Sequence, residues 1–298
     1  MLPESSANSG SAAGNGHPVI GIMGLGVVGG AARAYFESRG HHLRLYDPYL
    51  GLGSAREVNE AHVVFICVPT PHREGGGFDL SVVQEAIDVL ESGRTVVIKS
   101  TVLPGTTDAL QSRYPGHRML FNPEFLREAT AQQDFALPDR QVVGYTEAGR
   151  AAADEVMSLL PRAPFMRVVT AAEAEMAKYM ANAFLAVKVS FANEVYDLCG
   201  ALGIDYDAVR PLVAADARIG PSHLDVFHGG YRGYGGKCLP KDTRSLMELA
   251  RAVGVDLRLL GAAHEVNQEL TATFPSAVVP LRARDGDRRA PAGEERAA

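Results

Sequence analysis

The sequence is poor in cysteine, with only Cys67, Cys199 and Cys238 among its 298 residues. Three scattered thiols cannot build the disulfide framework that stabilises small secreted proteins. We therefore predict a reducing cytoplasm as the compartment. There, each cysteine either packs as a small apolar residue or acts through its thiol.

Long apolar runs and an excess of basic residues are also missing. No stretch approaches the ~18 apolar residues that cross a membrane, and the N-terminus lacks the basic start and apolar core of a signal peptide. The 29 basic and 35 acidic residues give a net charge of −6, which argues against nucleic acid held by a general basic surface. We predict no membrane partner, no nucleic-acid partner and no metal site.

Apolar residues make up 46% of the chain, whose length suits one large or two ordinary domains. Residues 1–16, rich in Ser, Ala, Gly and Asn, are predicted to be a disordered tail. Residues 17–150 alternate short apolar strands with helices, which predicts a Rossmann-like doubly wound parallel sheet. The predicted strands are Pro18–Met23, His42–Tyr46, Val63–Cys67, Thr95–Lys99, Met119–Phe121 and Gln141–Gly144.

The first strand runs directly into a glycine-rich turn, Gly24-Leu-Gly26-Val-Val-Gly29, and then into a helix. Gly24 permits the tight turn, Gly26 lets a pyrophosphate approach the backbone, and Gly29 lets the helix pack closely on the strand. The pyrophosphate would rest on the helix N-terminus at Val27 and Val28. The alternative is a nucleotide-free α/β turn whose glycines serve packing alone.

Asp47 ends the second strand, 23 residues after Gly24. A carboxylate there accepts hydrogen bonds from the adenine ribose and repels a 2′-phosphate, so NAD is predicted over NADP. Pro69 and Thr70 close the third strand at its carboxyl end, where open α/β sheets bind ligands.

The pattern becomes helical over residues 151–270, and residues 271–298 are predicted to be a tail of mixed charge, mostly disordered. A helix is predicted over Ala151–Leu160, a last strand over Phe165–Val169, and a long helix over Ala171–Leu202. Lys178 and Asn182 are one turn apart on this long helix, so one face presents both. The alanines around them favour burial of the lysine.

The segment Gly233–Asp242 places a cysteine after a glycine-rich approach and an acid one helical turn later. Pro240 suits the first turn of a helix, so Cys238 and Asp242 would share a face. Cys238 would then lie at a helix N-terminus, where the helix dipole favours a thiolate. The alternative is a small buried hydrophobic residue beside a glycine turn.

Taken together and in this order, these motifs resemble the UDP-glucose/GDP-mannose dehydrogenase family over about Val19 to Gln268. The motifs that carry the resemblance are Gly24–Gly29, Val68–Pro71, Lys99–Val102, Asn122–Glu128, Ala172-Glu173 with Lys178 and Asn182, and Gly235–Asp242.

The resemblance implies an NAD-dependent enzyme that oxidises a primary alcohol on a sugar nucleotide to a carboxylate in two hydride transfers. It makes Cys238 the nucleophile that carries a thiohemiacetal and then a thioester. Lys178, helped by Asn182, would stabilise the developing oxyanion. Asp242, with a water held by Thr101, would serve the acid–base steps.

The resemblance also gives Glu124 a part in thioester hydrolysis and Glu128 a supporting part. Arg218 matches an arginine that reaches a substrate bound to the neighbouring subunit, and the long helix from Ala171 would form the core of a homodimer. The implied cofactor contacts are Gly24, Gly26, Val27, Val28, Asp47, Pro69, Thr70, Thr101, Glu128 and Lys241. The implied contacts to the small-molecule substrate are Glu124, Phe125, Leu126, Arg127, Lys178, Asn182, Arg218, Tyr234 and Gly235.

Two features depart from the family pattern. The sequence ends 29 residues after Glu269 without a further strand–helix alternation, so we expect the third, nucleotide-binding domain of the family to be absent. The spacing of 20 residues from Arg218 to Cys238 is longer than the family pattern, and we expect the added residues Gly229–Arg232 to lie beside the sugar site. A separate chain that supplies the missing domain is a further hypothesis.

Two other functions compete with this prediction. A two-electron dehydrogenase of the β-hydroxyacid type also joins a Rossmann domain to a helical domain, but it needs no cysteine. A non-catalytic nucleotide-binding protein would bind NAD without reducing it.

Overall fold

The structure is a computed structural model that describes residues 18–73, 77–227, 230–236 and 238–273. The predicted tails lie outside these residues, except that 271–273 complete the last helix. The chain divides into two compact units between Lys178 and Tyr179. No helix in the described part of the chain is long and apolar enough to span a membrane.

The first unit is built on one seven-stranded sheet. Its strands are β1 (Ile20–Met23), β2 (Leu43–Tyr46), β3 (Val63–Ile66), β4 (Thr95–Ile98), β5 (Arg118–Phe121), β6 (Arg140–Tyr145) and β7 (Phe165–Thr170). Their spatial order is β2-β1-β3-β4-β5-β6-β7. The chain therefore moves outward in opposite directions from β1, which creates a switch point between β1 and β3, the place where such sheets bind nucleotides.

The sheet is mostly parallel, as predicted, but not throughout. Strands β1 to β5 run parallel, whereas β6 pairs antiparallel with β5 and parallel with β7. The predicted doubly wound parallel sheet is thus confirmed, and β6 and β7 run in the direction opposite to its other strands. The connection from β5 to β6 contains a 3₁₀ turn, Glu128–Thr130, and the six-residue helix Ala131–Ala136, which packs on the first helix of the unit, Val27–Ser38.

Helices cover both faces of the sheet. They are α1 (Val27–Ser38), α2 (Ala55–Val58), α3 (Ser81–Asp88), α4 (Thr106–Arg113), α5 (Ala131–Ala136) and α6 (Ala153–Leu159). Alternate strand residues face the two layers: Val64 and Ile66 pack with α3, and Val63 and Phe65 pack with Phe36 of α1. The predicted helix over Ala151–Leu160 is a 3₁₀ turn, Glu147–Ala152, followed by α6.

The last helix of the first unit continues into the second. This helix, α7 (Ala171–Leu202), has the predicted bounds and no interruption. The second unit adds α8 (Tyr206–Ala214), α9 (Leu239–Ala252) and α10 (Arg258–Thr273). One small core joins Ala183 of α7 with Met247 of α9 and Leu260 of α10.

Candidate functional site

The glycine-rich turn after β1 has a shape that only glycine allows at two positions. Gly24 has a φ of +83°, and a Cβ on it would lie 2.9 Å from the backbone of Cys67, at the end of β3. A Cβ on Gly29 would overlap the carbonyl oxygen of Gly24. The turn therefore brings β1, β3 and α1 closer together than side chains would permit.

Asp47 fastens the end of β2 to this turn. Its Oδ2 accepts the backbone N–H of Leu25 at 2.7 Å, while its Oδ1 accepts the N–H groups of Tyr49 and Leu50 at 3.1 and 3.2 Å. Oδ1 already accepts two bonds, whereas Oδ2 accepts one and can accept another, so the side chain still suits a ribose hydroxyl. Asp47 lines a cleft of about 330 Å³ together with Gly24, Val68, Pro69, Val82, Ala86 and Val89, and these apolar walls suit a flat base.

A second cavity, of about 550 Å³, opens at the start of α1. Gly26, Val27 and Glu128 line it. No side chain caps α1, and its first turn holds no acid, so its N–H groups suit an anionic diphosphate. Val28 is half-buried one residue further along. These features fit the predicted dinucleotide.

Hydrogen bonds join the loops that follow β3 and β4. Thr70 donates its hydroxyl to the carbonyl oxygen of Thr101 at 2.6 Å, and Ser100 donates to the carbonyl oxygen of Val68 at 2.7 Å. The structure thus brings together two motifs that lie about thirty residues apart in the sequence, and it fixes the backbone of Thr101 at the carboxyl edge of the sheet.

Glu124 and Lys178 form a buried pair at the same edge. The lysine Nζ lies 3.5 Å from a carboxylate oxygen of Glu124, with 2% of the lysine side chain and 13% of the glutamate side chain exposed. The burial predicted for Lys178 is therefore confirmed. A buried charge needs a partner of opposite sign, and Glu124 supplies it. The pair places a fixed positive charge beside Glu124.

A second buried lysine supports the loop of Glu124. Lys99 contacts Asn122 through Nζ and Oδ1 at 2.5 Å, and Asn122 donates to Gln141 Oε1 and to the carbonyl oxygen of Val142 at 2.8 and 2.7 Å. Burial lowers the pKa of Lys99. Burial also raises the pKa of Cys67 to about 12, and its side chain packs against the core of the sheet.

The other substrate contacts predicted on this loop, Phe125 to Arg127, make contacts with other parts of the first unit. Phe125 stacks under Arg140, with the guanidinium carbon 3.7 Å from the ring centre, and Leu126 packs against the core. Arg127 is exposed and makes a two-point ion pair with Asp134.

In the second unit, the predicted thiol and acid lie where the motif suggested. Cys238 is exposed and is the N-cap residue of α9, and Pro240 is in the first turn. The backbone N–H of Asp242 donates to the carbonyl oxygen of Cys238 at 2.9 Å. The Asp242 side chain is buried, accepts Asn182 Nδ2 at 2.6 Å and lies 3.2 Å from Lys241 Nζ.

The remaining predicted residues of the second unit differ in exposure. The side chain of Arg218 is 89% exposed and is paired with Asp216. Tyr234 is buried, and burial raises its pKa to about 12. Gly235 lies against the ring of Tyr231. Arg232, the last residue of the segment expected beside the sugar site, is buried and binds Asn193 and Asp197 of α7, whereas Gly229 lies outside the described residues.

Two buried polar groups were not predicted from the sequence. Glu175 binds the start of α4, and Asn267 binds the backbone of Tyr234. Each lies on an amphipathic helix, where a polar residue is normally interpreted as solvent-facing.

Two parts of the chain match domains of one known protein family. Residues 52–160 match the NAD binding domain of the UDP-glucose/GDP-mannose dehydrogenase family, and residues 172–269 match its central domain. The chain is 38% identical to UDP-glucose 6-dehydrogenase AglM of Haloferax volcanii over 232 residues. The matched region covers 71% of this chain and 53% of that protein. It is 39% identical over 233 residues to a UDP-glucose 6-dehydrogenase of Pseudomonas aeruginosa, with 72% and 50% covered.

Among solved structures, a UDP-glucose dehydrogenase of Pyrobaculum islandicum superposes with a TM-score of 0.77 at 32% identity, covering 87% of this chain and 70% of that one. The chain belongs to the UDP-glucose/GDP-mannose dehydrogenase family, and the match to the family's NAD binding domain supports NAD as the cofactor. It spans about half the length of these two curated relatives.

Proposed function

We propose that this protein is an NAD-dependent dehydrogenase that oxidises the primary alcohol of a sugar nucleotide, or of a related nucleotide or sugar, to a carboxylate. The observation that carries the proposal is the exposed thiol of Cys238 at the N-terminus of α9. A helix N-terminus favours the thiolate form that attacks an aldehyde. The family membership and the dinucleotide cleft support the redox part.

The proposed sequence has two oxidations and one hydrolysis. A bound NAD, held by Asp47 and the N-terminus of α1, would supply the hydride acceptor for both oxidations. The alcohol first loses a hydride and a proton to become an aldehyde, and the Cys238 sulfur adds to its carbonyl carbon. The resulting thiohemiacetal loses a second hydride and a proton and becomes a thioester. Water then displaces the Cys238 sulfur, giving the carboxylate and the free thiol. Covalent capture keeps the reactive aldehyde in the site between the oxidations.

Lys178 and Asn182 are proposed to stabilise the oxyanion that develops at each addition. The lysine is buried and positively charged beside Glu124, and a fixed charge in a site of low dielectric acts strongly on developing charge. Asp242 and Thr101 serve the proton transfers in this scheme, and Glu124 directs the water that hydrolyses the thioester. Phe125, Leu126, Arg127, Tyr234 and Gly235 are proposed to shape the substrate pocket.

A product count tests the proposal. We would incubate the full chain with NAD and a panel of sugar nucleotides, nucleotides and sugar phosphates, and measure NADH by absorbance and products by mass spectrometry. Two NADH per product and a gain of about 14 mass units, from one oxygen gained and two hydrogens lost, are expected. One NADH and a loss of two hydrogens would favour a β-hydroxyacid type of reaction. NAD binding without any NADH would favour a binding protein, or a need for a separate chain.

Asp47 is expected to decide between the two nicotinamide cofactors. Asp47→Asn removes the negative charge at the end of β2. Its single amide oxygen can still accept from Leu25, at the cost of the bonds from Tyr49 and Leu50. We expect the Kd for NAD to rise at least about tenfold and the preference over NADP to narrow. Calorimetric titration of both cofactors measures this, with the exposed Asp154→Asn on α6 as a control. Unchanged selectivity would remove Asp47 from the cofactor site.

The second unit is proposed to form a homodimer through α7. Five large apolar side chains, each more than half exposed, follow one face of this helix at helical spacing: Met180, Phe184, Phe191, Leu198 and Leu202. A stripe of this kind is typical of a surface that another chain covers. In this proposal Arg218, exposed on the same unit, reaches the substrate of the partner.

Charged residues on this stripe should produce a monomer. We expect the double variant Phe184→Glu with Phe191→Glu to elute as a monomer, because burying two carboxylates at a dimer interface costs several kcal/mol. Light scattering coupled to size-exclusion chromatography measures the mass. Leu259→Glu, at an equally exposed site on α10, serves as the control and should stay dimeric. A parent chain that is monomeric at all concentrations would contradict the proposal.

A further inference from the structure

The residues that lead into Cys238 are held by side chains that have no part in the proposed chemistry. We call Tyr231–Gly236 the approach segment. On one side, Arg232 anchors this segment to α7. Its Nε donates to Asn193 Oδ1 at 3.0 Å, and its guanidinium pairs with Asp197 at 2.8 Å. Only 8% of the arginine side chain is exposed, so Arg232 is an internal anchor.

Asn267 of α10 holds the other side of the approach segment. Its Oδ1 accepts the backbone N–H of Tyr234 at 2.6 Å, and its Nδ2 donates to the carbonyl oxygen of the same residue at 3.0 Å. An N–H only donates and a carbonyl only accepts, so this contact fixes which way the amide points. Asn267 is buried, and both ends of its amide are satisfied by a single residue.

Gly233 makes room for this contact. Its φ is +83°, and a Cβ on it would lie 2.6 Å from Asn267 Oδ1. A side chain at this position would be strained and would also push the amide away. The absence of a side chain at Gly233 therefore leaves room for the Asn267 amide beside the backbone of Tyr234.

Tyr234 links the approach segment to the start of α9 through apolar packing. It forms a small apolar cluster with Ala186 and Val189 of α7, and Leu239, the residue that follows Cys238, packs against this cluster. The tyrosine hydroxyl lies 3.4 Å from His264 Nδ1 on α10. In the sequence, Cys238 thus lies between the backbone bonded by Asn267 and, on its other side, Leu239, which packs against the cluster that contains Tyr234.

We propose that Asn267 is a positioning residue for Cys238. By fixing the backbone of Tyr234, it holds the apolar cluster against which Leu239 packs, and so holds the thiol at the first turn of α9. In this position the N–H groups of the helix favour the thiolate. The effect on turnover rests on the proposed function, whereas the effect on the thiol itself does not.

The reactivity of Cys238 towards iodoacetamide tests the proposal without any substrate. Asn267→Leu removes both hydrogen bonds at similar volume, and Asn267→Asp keeps only the acceptor. Ser190→Ala is the matched control. It removes a buried hydrogen bond of 2.7 Å from Ser190 on α7 to Ala263 on α10 that does not touch the approach segment. Mass spectrometry of the peptide that contains Cys238 gives the alkylation rate, and circular dichroism checks folding.

We expect the Asn267→Leu chain to alkylate at least about threefold more slowly than the parent, Asn267→Asp to fall between them, and Ser190→Ala to match the parent. If Asn267→Leu does not fold, the same comparison with Asn267→Asp decides. A parental rate in the folded Asn267 variants overturns the proposal, as does an equal loss in Ser190→Ala. For a chain that turns over, kcat should fall together with the alkylation rate. Slower alkylation in a chain that never makes NADH supports the positioning role and counts only against the proposed function.

Discussion

Replacing Cys238 by serine is expected to lower carboxylate formation at least about a thousandfold. A serine hydroxyl at the N-terminus of α9 has the geometry of the thiol but not its acidity, so it stays protonated and attacks an aldehyde poorly. Binding of NAD should not change, because the cleft of Asp47 belongs to the first unit and contains no residue near Cys238 in sequence. The measurement is the rate of NADH formation at saturating substrate, with NAD affinity determined separately.

Cys199 provides the matched control for this substitution. It is buried in a cluster with Tyr206, Leu224 and Val226, so its thiol acts as a small apolar group. Cys199→Ala should keep activity within about twofold and lose only a little stability. Full turnover in Cys238→Ser would instead identify a two-electron enzyme, for which the glycine-rich segment before the cysteine has a packing role.

The part of the site that the sequence predicted best is the part that depends on local geometry. Gly24 and Gly29 lie against backbone atoms that leave no room for a side chain. Asp47 accepts a hydrogen bond from Leu25, in the same βαβ unit. The spacing of these residues along the chain therefore contains most of the structural information. The bounds of α7 could be predicted for a similar local reason, because residues 171–202 contain no proline that would interrupt a helix.

The direction of β6 and β7 was not predictable in this way. An apolar strand has the same composition whether its neighbour runs parallel or antiparallel, so only the connection distinguishes the two. Here the connection contains the short helix α5, which packs on α1 instead of crossing back along the sheet. The sequence pattern around residues 128–136 did not predict that helix.

The buried polar contacts were hidden for another reason. Asn267 and its partner are 33 residues apart, and Glu175 and its partner Thr107 are 68 apart. Each side chain is polar and lies on a helix with charged neighbours, so composition alone predicts exposure. Only the packing of the helices shows that the amide and the carboxylate point inward.

Glu175 is expected to make the stability of the protein depend on pH in an unusual direction. The side chain is fully buried, its Oε2 accepts the N–H of Gly105 at 2.6 Å, and its Oε1 accepts the N–H and the hydroxyl of Thr107 at 2.9 and 2.6 Å. These donors favour the carboxylate, but burial outweighs them and raises the pKa of Glu175 from 4.5 to about 7. The folded chain thus binds this proton more tightly than the unfolded chain does.

The contribution of Glu175 to stability therefore falls as the pH rises from 4.5 to about 7. Glu175→Gln removes the titration and keeps the shape. From pH 5 to pH 7.5, we expect the unfolding free energy of the parent to decline relative to the Gln variant by about 2 kcal/mol. Urea unfolding of both chains at the two pH values gives the difference.

Glu173, two residues earlier on α7, supplies a control of opposite sign. It is exposed, and hydrogen bonds from the hydroxyl and backbone N–H of Thr170 lower its pKa. Its contribution is present above its unfolded pKa and is lost only as the pH falls through its lower folded pKa. Glu173→Gln should thus differ from the parent by the same amount at pH 5 and at pH 7.5. If Glu175→Gln also shows a constant difference, the carboxylate is ionised throughout this range and its three donors outweigh its burial.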